Sequence, residues 1–323
     1  MTKTNQQKVK DFLINNGVII VMFILVIYTG FTSDNFFTKN NFMNILMNMS
    51  SRLVIALGIA GCVITAGCDL SAGRMIGFGA CISGMLLQRM DYSGKFFPDM
   101  QPLNVFVVAL IAMLVCAAFG TVTGFFIAYL NVPPFIATLA MMEIVYGIGL
   151  IVTNATPLGG YVEQYTNVSN GKFLGINYLI WIAIIVAAIT WFIFNMTRHG
   201  KYMYAIGGNP QAAEVAGVPV KATLILIYMK AAAMYGLAGF MLGAKAGGAS
   251  VQTGYGYEME AIAACTIGGV SVTGGRGKVS SAIIGVAVFE LLKVALQYLG
   301  MNANAQYIAI GVVIFIAISL DIR

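Results

Sequence analysis

Residues 103–130 read LNVFVVALIAMLVCAAFGTVTGFFIAYL, a run without one charged side chain. It is long enough to cross a hydrocarbon core ~30 Å thick, which takes roughly 20 apolar residues in a helix. The same reading extends to both sides of it. Apolar stretches also cover 17–31, 52–68, 71–88, 134–153, 177–195, 222–243, 261–274, 279–299 and 305–320. The ten together predict an all-α polytopic membrane protein, a single domain over 1–323, with both termini on one side. The segment 261–274 is short and rich in glycine, so it is expected to be broken or re-entrant. Backbone of that kind is tolerated at membrane depth only where protein or water covers it.

Composition agrees. Of 323 residues 59% are hydrophobic and 9% charged, against about 25% charged in an average soluble protein. Too few polar side chains exist to cover a water-facing surface, and the 37 glycines suit close helix packing in lipid. A soluble enzyme, a disordered regulator and a nucleic-acid binder are all excluded as readings. The net charge of +6 reflects basic loops rather than an acidic ligand. With the N-terminus inside, the inner segments hold Lys3, Lys8, Lys10, Arg198, Lys201, Lys221, Arg276, Lys278 and Arg323. The outer ones hold Lys39, Arg52, Arg89, Lys95, Lys172 and Lys245. The excess of basic residues inside supports cytoplasmic termini.

Several chemistries lack their residues. Cys62, Cys68, Cys81, Cys116 and Cys265 lie in apolar segments with no C-x-x-C spacing, which reads as packing rather than metal or redox work. His199 is the only histidine, with no G-x-S-x-G context for hydrolysis. No G-x-x-x-x-G-K-[ST] loop is present, so the chain is not expected to bind ATP itself, and no cofactor is expected.

Four features remain as candidates for function. In the loop 196–221, Asn209 is a suitable N-cap, Pro210 fits the first helical position, Gln211, Ala212, Ala213 and Glu214 continue the helix, and Gly217 stops it. This short helix either rests on the membrane surface or docks into a separate motor protein. In 65–74, Asp69, Ser71 and Arg74 interrupt an apolar stretch; Asp69 and Arg74 either pair beside a helix cap or line a polar pathway. In 131–139, Asn131 and two prolines form a turn that sets Phe135 and Thr138 one helical turn apart, as a rigid connection or a gate. Glu143, Lys230, Glu290 and Lys293 are charges within apolar helices. Glu290 and Lys293 are spaced to pair on one helix face, while intramembrane carboxylates also suit a proton relay. A faint internal echo links Ser71-Ala72-Gly73-Arg74 with Thr273-Gly274-Gly275-Arg276, each interrupting paired apolar segments.

Taken together, these segments resemble the permease subunits of bacterial sugar-importing ABC transporters of the ribose/galactose type, from about residue 40 onward. Residues 65–73 are similar to that family's T-x-G-x-D-L-S-x-G signature and 135–139 to its F-I-x-T-L motif. Residues 198–218 resemble its coupling block, with Gln211 where an acidic residue is usual. Residues 268–277 resemble its G-G-x-S-x-x-G-G-x-G block. Lys293 stands where the family usually has Asn, and Ser281 where Gly is common. The strings around Gln88, Tyr129, Tyr146 and Ala263 favour the galactose branch over the ribose branch. The resemblance implies a homodimer in the bacterial inner membrane, two ATP-binding subunits docked on the coupling helices, and an extracytoplasmic sugar-binding protein. The cargo it implies is a monosaccharide such as galactose, methyl-galactoside or glucose, and the lipid bilayer surrounds the assembly. A proton-coupled secondary sugar transporter is the competing reading. Some of the 37 aromatic residues (20 Phe, 15 Tyr, 2 Trp) would stack on the sugar; the sequence does not single them out.

Overall fold

The computed structural model describes residues 17–33 and 35–321. Lys3, Lys8, Lys10 and Arg323, used above for orientation, lie outside the described residues. Thirteen helices are seen among them: α1 (Gly17–Thr32), α2 (Lys39–Ile64), α3 (Ala72–Leu86), α4 (Val105–Tyr129), α5 (Pro134–Thr153), α6 (Glu163–Asn170), α7 (Tyr178–Met196), α8 (Arg198–Gly208), α9 (Pro210–Val215), α10 (Val220–Ala246), α11 (Tyr257–Ile267), α12 (Val279–Tyr298) and α13 (Ala303–Asp321). A two-residue antiparallel hairpin, β1 (Lys172–Phe173) with β2 (Ile176–Asn177), separates α6 from α7.

Each of the ten expected segments overlaps a helix, 261–274 over only its first half. Six of these, α2, α4, α5, α7, α10 and α12, are long and apolar enough to cross a membrane. Local chemistry fixes many of the starts. Asn104 accepts from Phe106 N at 2.9 Å to open α4, and Asn177 accepts from Leu179 N at 2.8 Å to open α7. Pro134 occupies the first turn of α5, where its missing N–H costs nothing.

Two boundaries differ from expectation. Helix α2 begins at Lys39 rather than near residue 52, because its polar first half finds partners inside the protein: Asn48 bonds Lys245, and Arg52 bonds Glu290. Arg52 is therefore not an outer-loop charge. Helix α11 covers Tyr257–Ile267, and Gly269, Gly274 and Gly275, all at positive φ, turn the chain through 268–278 instead of extending the helix. At 11 residues, or about 16 Å, α11 cannot cross a bilayer alone.

Helices α2 and α10 form the centre. Most of the apolar window of α2 is buried (78%), against 22% of that of α4. On α4, Phe106, Leu110 and Leu114 recur every four residues and all are exposed, which makes a lipid-facing stripe in a chain of this hydropathy. The opposite face of α4 packs on α10, and α10 also packs on α3, where Gly79 meets Gly236 backbone to backbone. A Cβ on Gly79 would lie 2.9 Å from Gly236 Cα. Small residues at such crossings bring helix backbones close, the main source of attraction between helices in lipid.

The bundle has two distinct ends. At one, the turn after α2, the α8–α9 loop and residues 268–278 converge: Gly275 N donates to Ile64 O at 2.8 Å, and Tyr204 Oη donates to Gly277 O at 2.8 Å. At the other, Gln88 Nε2 donates to Gly159 O at 3.0 Å, and Leu158 and Ala249 exchange backbone bonds of 2.8 and 2.9 Å.

Candidate functional site

The first element of the site is the break between α2 and α3. Thr65 Oγ1 donates back to Cys62 O at 2.9 Å, Ala66 takes φ +56°, and the helix stops. Asp69 then anchors the restart. Its Oδ1 accepts from Ser71 N at 3.0 Å and Ser71 Oγ at 2.6 Å, and its Oδ2 from Tyr235 Oη of α10 at 3.2 Å. Asp69 is buried, and both of its oxygens are taken by these neutral donors. The local Asp69–Arg74 pair, one of the two readings of that spacing, does not form.

Arg74 turns to the opposite side of α3. Its Nη1 donates to Gln252 Oε1 at 2.7 Å, and its guanidinium carbon lies 3.9 Å from the ring centre of Tyr146 and 4.4 Å from that of Tyr255. Gln252 Nε2 in turn donates to Tyr146 Oη at 3.1 Å. Asp69 and Arg74 are thus neighbours in sequence with separate duties: one closes the break and the other faces a polar, aromatic wall.

The proline turn supplies the next contact. Thr138 is fully buried, and its hydroxyl lies 2.9 Å from Pro134 O and 3.3 Å from Cys68 O. The start of α5 is therefore fastened to the break. Asn131, at φ +52°, and Phe135 are exposed and do not join the Asp69 cluster.

The loop 196–221 contains two helices where the sequence reading placed one. Thr197 caps α8 by accepting from Gly200 N at 3.2 Å. Gly207, near the end of α8, lies so close to the Ile64 carbonyl and the Gly275 N–H that a Cβ there would clash with backbone on both sides. Asn209 then caps α9, accepting from Ala212 N at 2.9 Å, with Pro210 at the first helical position and Gly217 at φ +83° beyond the end. Ala213 is buried; Pro210, Gln211, Ala212 and Glu214 are exposed, and Val215 is 91% exposed. The helix thus projects from the bundle with its Val215 side chain in open space. Within this loop, burial and the nearby Lys230 ammonium push the His199 imidazole down to about 4.

The charges inside the bundle pair differently from their spacing. Glu290 bonds Arg52 of α2, and Lys293 bonds Glu260 of α11, with Arg52 Nε 3.8 Å from Glu260. The direct Glu290–Lys293 pair is replaced by a four-membered network across three helices. Arg52 and Glu260 reach from facing helices into the seam that α12 presents, and each places an opposite charge closer than a neighbour on the same helix can. Glu143 is exposed on α5, so the carboxylates make no continuous relay.

As site residues the sequence reading missed Tyr235, Gln252, Tyr255 and Glu260, and it used Tyr146 only as part of a branch-like string. The available signal was the Gly254-Tyr255-Gly256 string before a helix that starts with two glutamates, which marks irregular backbone beside an apolar segment. Among the described residues no group of three His, Cys, Asp or Glu side chains is placed to hold a metal ion.

Comparison with known proteins adds a family. A profile described as "Branched-chain amino acid transport system / permease component" matches residues 41–318. The chain is 39% identical to the galactose/methyl galactoside import permease protein of Escherichia coli K12 over 99% of this chain and 98% of that protein. It is 40% identical to the protein of the same name from Haemophilus influenzae, over the same shares. The ribose import permease protein of Escherichia coli K12 is 32% identical over 97% of this chain and 95% of that protein. No solved structure matches. With a broken-helix core, a projecting loop helix and a match over nearly its whole length, the chain belongs to the permease-component family of these transport systems.

Proposed function

We propose that this chain is the membrane-spanning permease of an ATP-driven importer for a monosaccharide of the galactose or methyl galactoside class, in the bacterial inner membrane. The observation that carries the reading is the 39% identity, end to end, with a galactose/methyl galactoside import permease. The geometry supports it through α9. A projecting helix on a loop packed against the α2–α3 break can carry work done outside the membrane into the bundle.

On this reading the chain is one transmembrane domain with a cytoplasmic coupling loop at 196–221 and both termini cytoplasmic. Moving Arg52 out of the outer set strengthens the basic excess inside. Two copies flank a pathway. Two ATP-binding subunits, which hydrolyse the nucleotide, grip Asn209, Pro210, Gln211, Ala212, Glu214 and Gly217, while Ala213, expected in this set, is buried beneath them. An extracytoplasmic sugar-binding protein delivers the cargo to the opposite end. Asp69, Ser71, Arg74, Asn131, Phe135 and Thr138 surround the segments that move or line the pathway. Nucleotide binding shifts the permease between inward- and outward-open states because the ATPase surface fits the two with different affinity.

Reconstitution tests this. Vesicles holding the permease, a candidate ATPase and a galactose-loaded receptor are expected to accumulate galactose with ATP inside. Vesicles of the permease alone that concentrate sugar on a proton gradient would establish the secondary-transporter reading instead. A panel including branched-chain amino acids and ribose sets the cargo.

A further inference from the structure

Helix α10 ends at Gly247, and the chain does not enter α11 directly. After the Leu158–Ala249 exchange it descends along α3: a Cβ on Gly77 would lie 2.7 Å from Val251 O, and Arg74 Nη1 reaches that carbonyl at 3.4 Å. This irregular segment, 250–256, runs deep inside the bundle. Its partner Tyr146 sits near the middle of α5. Met75, beside Arg74, accepts through its carbonyl from Sγ of Cys116, near the middle of α4. Substrate sites of transporters tend to form where a discontinuous helix exposes backbone near the bilayer midplane.

At this depth the segment presents polar groups outward. Gln252 is exposed, Tyr255 is 61% exposed, and Arg74 is half-buried with a buried Nε that has no partner. Such groups at mid-depth face water or protein rather than lipid, since an unsatisfied charge in hydrocarbon is costly. The face carrying them is therefore turned to water or to a second copy of the chain, which on the importer reading is the side of the pathway.

The chemistry on that face is specific. The Arg74 guanidinium lies over the Tyr255 ring, 4.4 Å from its centre, and Tyr255 is still 61% exposed, while the Gln252 amide is braced by Arg74 and Tyr146. A pyranose has an apolar C–H face and a rim of hydroxyls, which match an aromatic plate edged by an amide and a guanidinium. We infer that Tyr255, Gln252 and Arg74 form a sugar-stacking station on the transport pathway, where the monosaccharide pauses with its C–H face on Tyr255. The inference rests on the importer reading above. The plate is open on one side, so the site binds weakly and releases readily, the compromise that conduction demands.

Saturation-transfer NMR on the detergent-solubilised permease–ATPase complex, with millimolar galactose or methyl β-galactoside and no receptor, reads the contact directly. Transfer from aromatic protons to the C–H face of the sugar is expected for the wild type and for Tyr255→Phe, and its loss for Tyr255→Leu. In vesicles with saturating loaded receptor, Tyr255→Leu and Gln252→Ala are each expected to slow sugar entry about tenfold at equal membrane levels, with Tyr255→Phe near wild type. If wild-type vesicles move no sugar, the importer reading fails. If they do, and Tyr255→Leu keeps both the transfer signal and the wild-type rate, the station is overturned.

Discussion

The N–H of Gly275 is bonded to the carbonyl of Ile64 at 2.8 Å. This one bond joins two interruptions of the helical bundle, the turn ending α2 and the loop before α12, and Gly207 at the end of α8 packs against both of its ends. The turn after α2 and the glycine-rich loop before α12 thus touch in space, with Gly207 packed against both. Between α9 and the α2–α3 break stands only the end of α8, where Gly207 meets the Ile64 carbonyl.

Gly207→Val is expected to destabilise the protein by about 1–3 kcal/mol, because its side chain overlaps backbone that cannot retreat. Gly208→Ala, with no atom within 4 Å of a new Cβ, is the control and should melt like wild type. Thermal unfolding in detergent compares them. Equal melting temperatures for the two variants would mean that the junction is loose.

Exposed positions on α9 test docking without disturbing the fold. Ala212→Asp and Val215→Asp are expected to abolish co-purification with the ATPase while leaving the melting temperature within a degree or two of wild type. Gly217→Trp should also weaken docking, since φ +83° strains any side chain. Asn209→Ala, which removes the cap, should cost about 1 kcal/mol and weaken docking partially. Wild-type recovery of the ATPase with Val215→Asp would show that the partner does not meet α9 there.

Glu290→Gln strands Arg52, whose remaining carboxylate is 3.8 Å away on Glu260. The single change is expected to cost about 3 kcal/mol, and the joint Arg52→Met, Glu290→Met change considerably less, because no uncompensated charge stays buried. Denaturation midpoints distinguish the two. By contrast, pairing Glu290→Gln with Lys293→Gln should give no rescue, since Lys293 answers Glu260.

His199 gives the loop a pH dependence with a definite sign. Its folded value, down at about 4 through burial first and the Lys230 charge second, lies below the ordinary 6.5. Above pH 6.5 the imidazole is neutral in both states and its contribution to stability is complete. As pH falls toward 4 the unfolded chain takes up the proton and the folded one does not, so stability is lost over that window. His199→Gln should flatten the melting temperature between pH 6.5 and 4. An unchanged slope would place the acid sensitivity elsewhere.

What could be read before folding was whatever neighbouring residues decide together. The apolar runs specify helices because a backbone in hydrocarbon must satisfy its own hydrogen bonds. The cap, proline and glycine of α9 are legible because capping acts over three or four residues. Helix partners are a different matter. Glu290 and Lys293 have the spacing of a pair, yet each bonds a residue from another helix, and Asp69 prefers Ser71 and Tyr235 to nearby Arg74. The early start of α2 was hidden for the same reason, as its polar half is tolerable only once Lys245 and Glu290 answer it.

The amino-acid order by itself therefore determined a membrane bundle, its broken segments and the projecting helix, since each follows from local hydrogen bonding and the cost of polar groups in lipid. Only the tertiary structure decided which charge answers which, and that Tyr146, Gln252 and Tyr255 gather around Arg74. Those choices depend on distances between segments far apart in the chain, which are set when the glycine-lined helices close on one another.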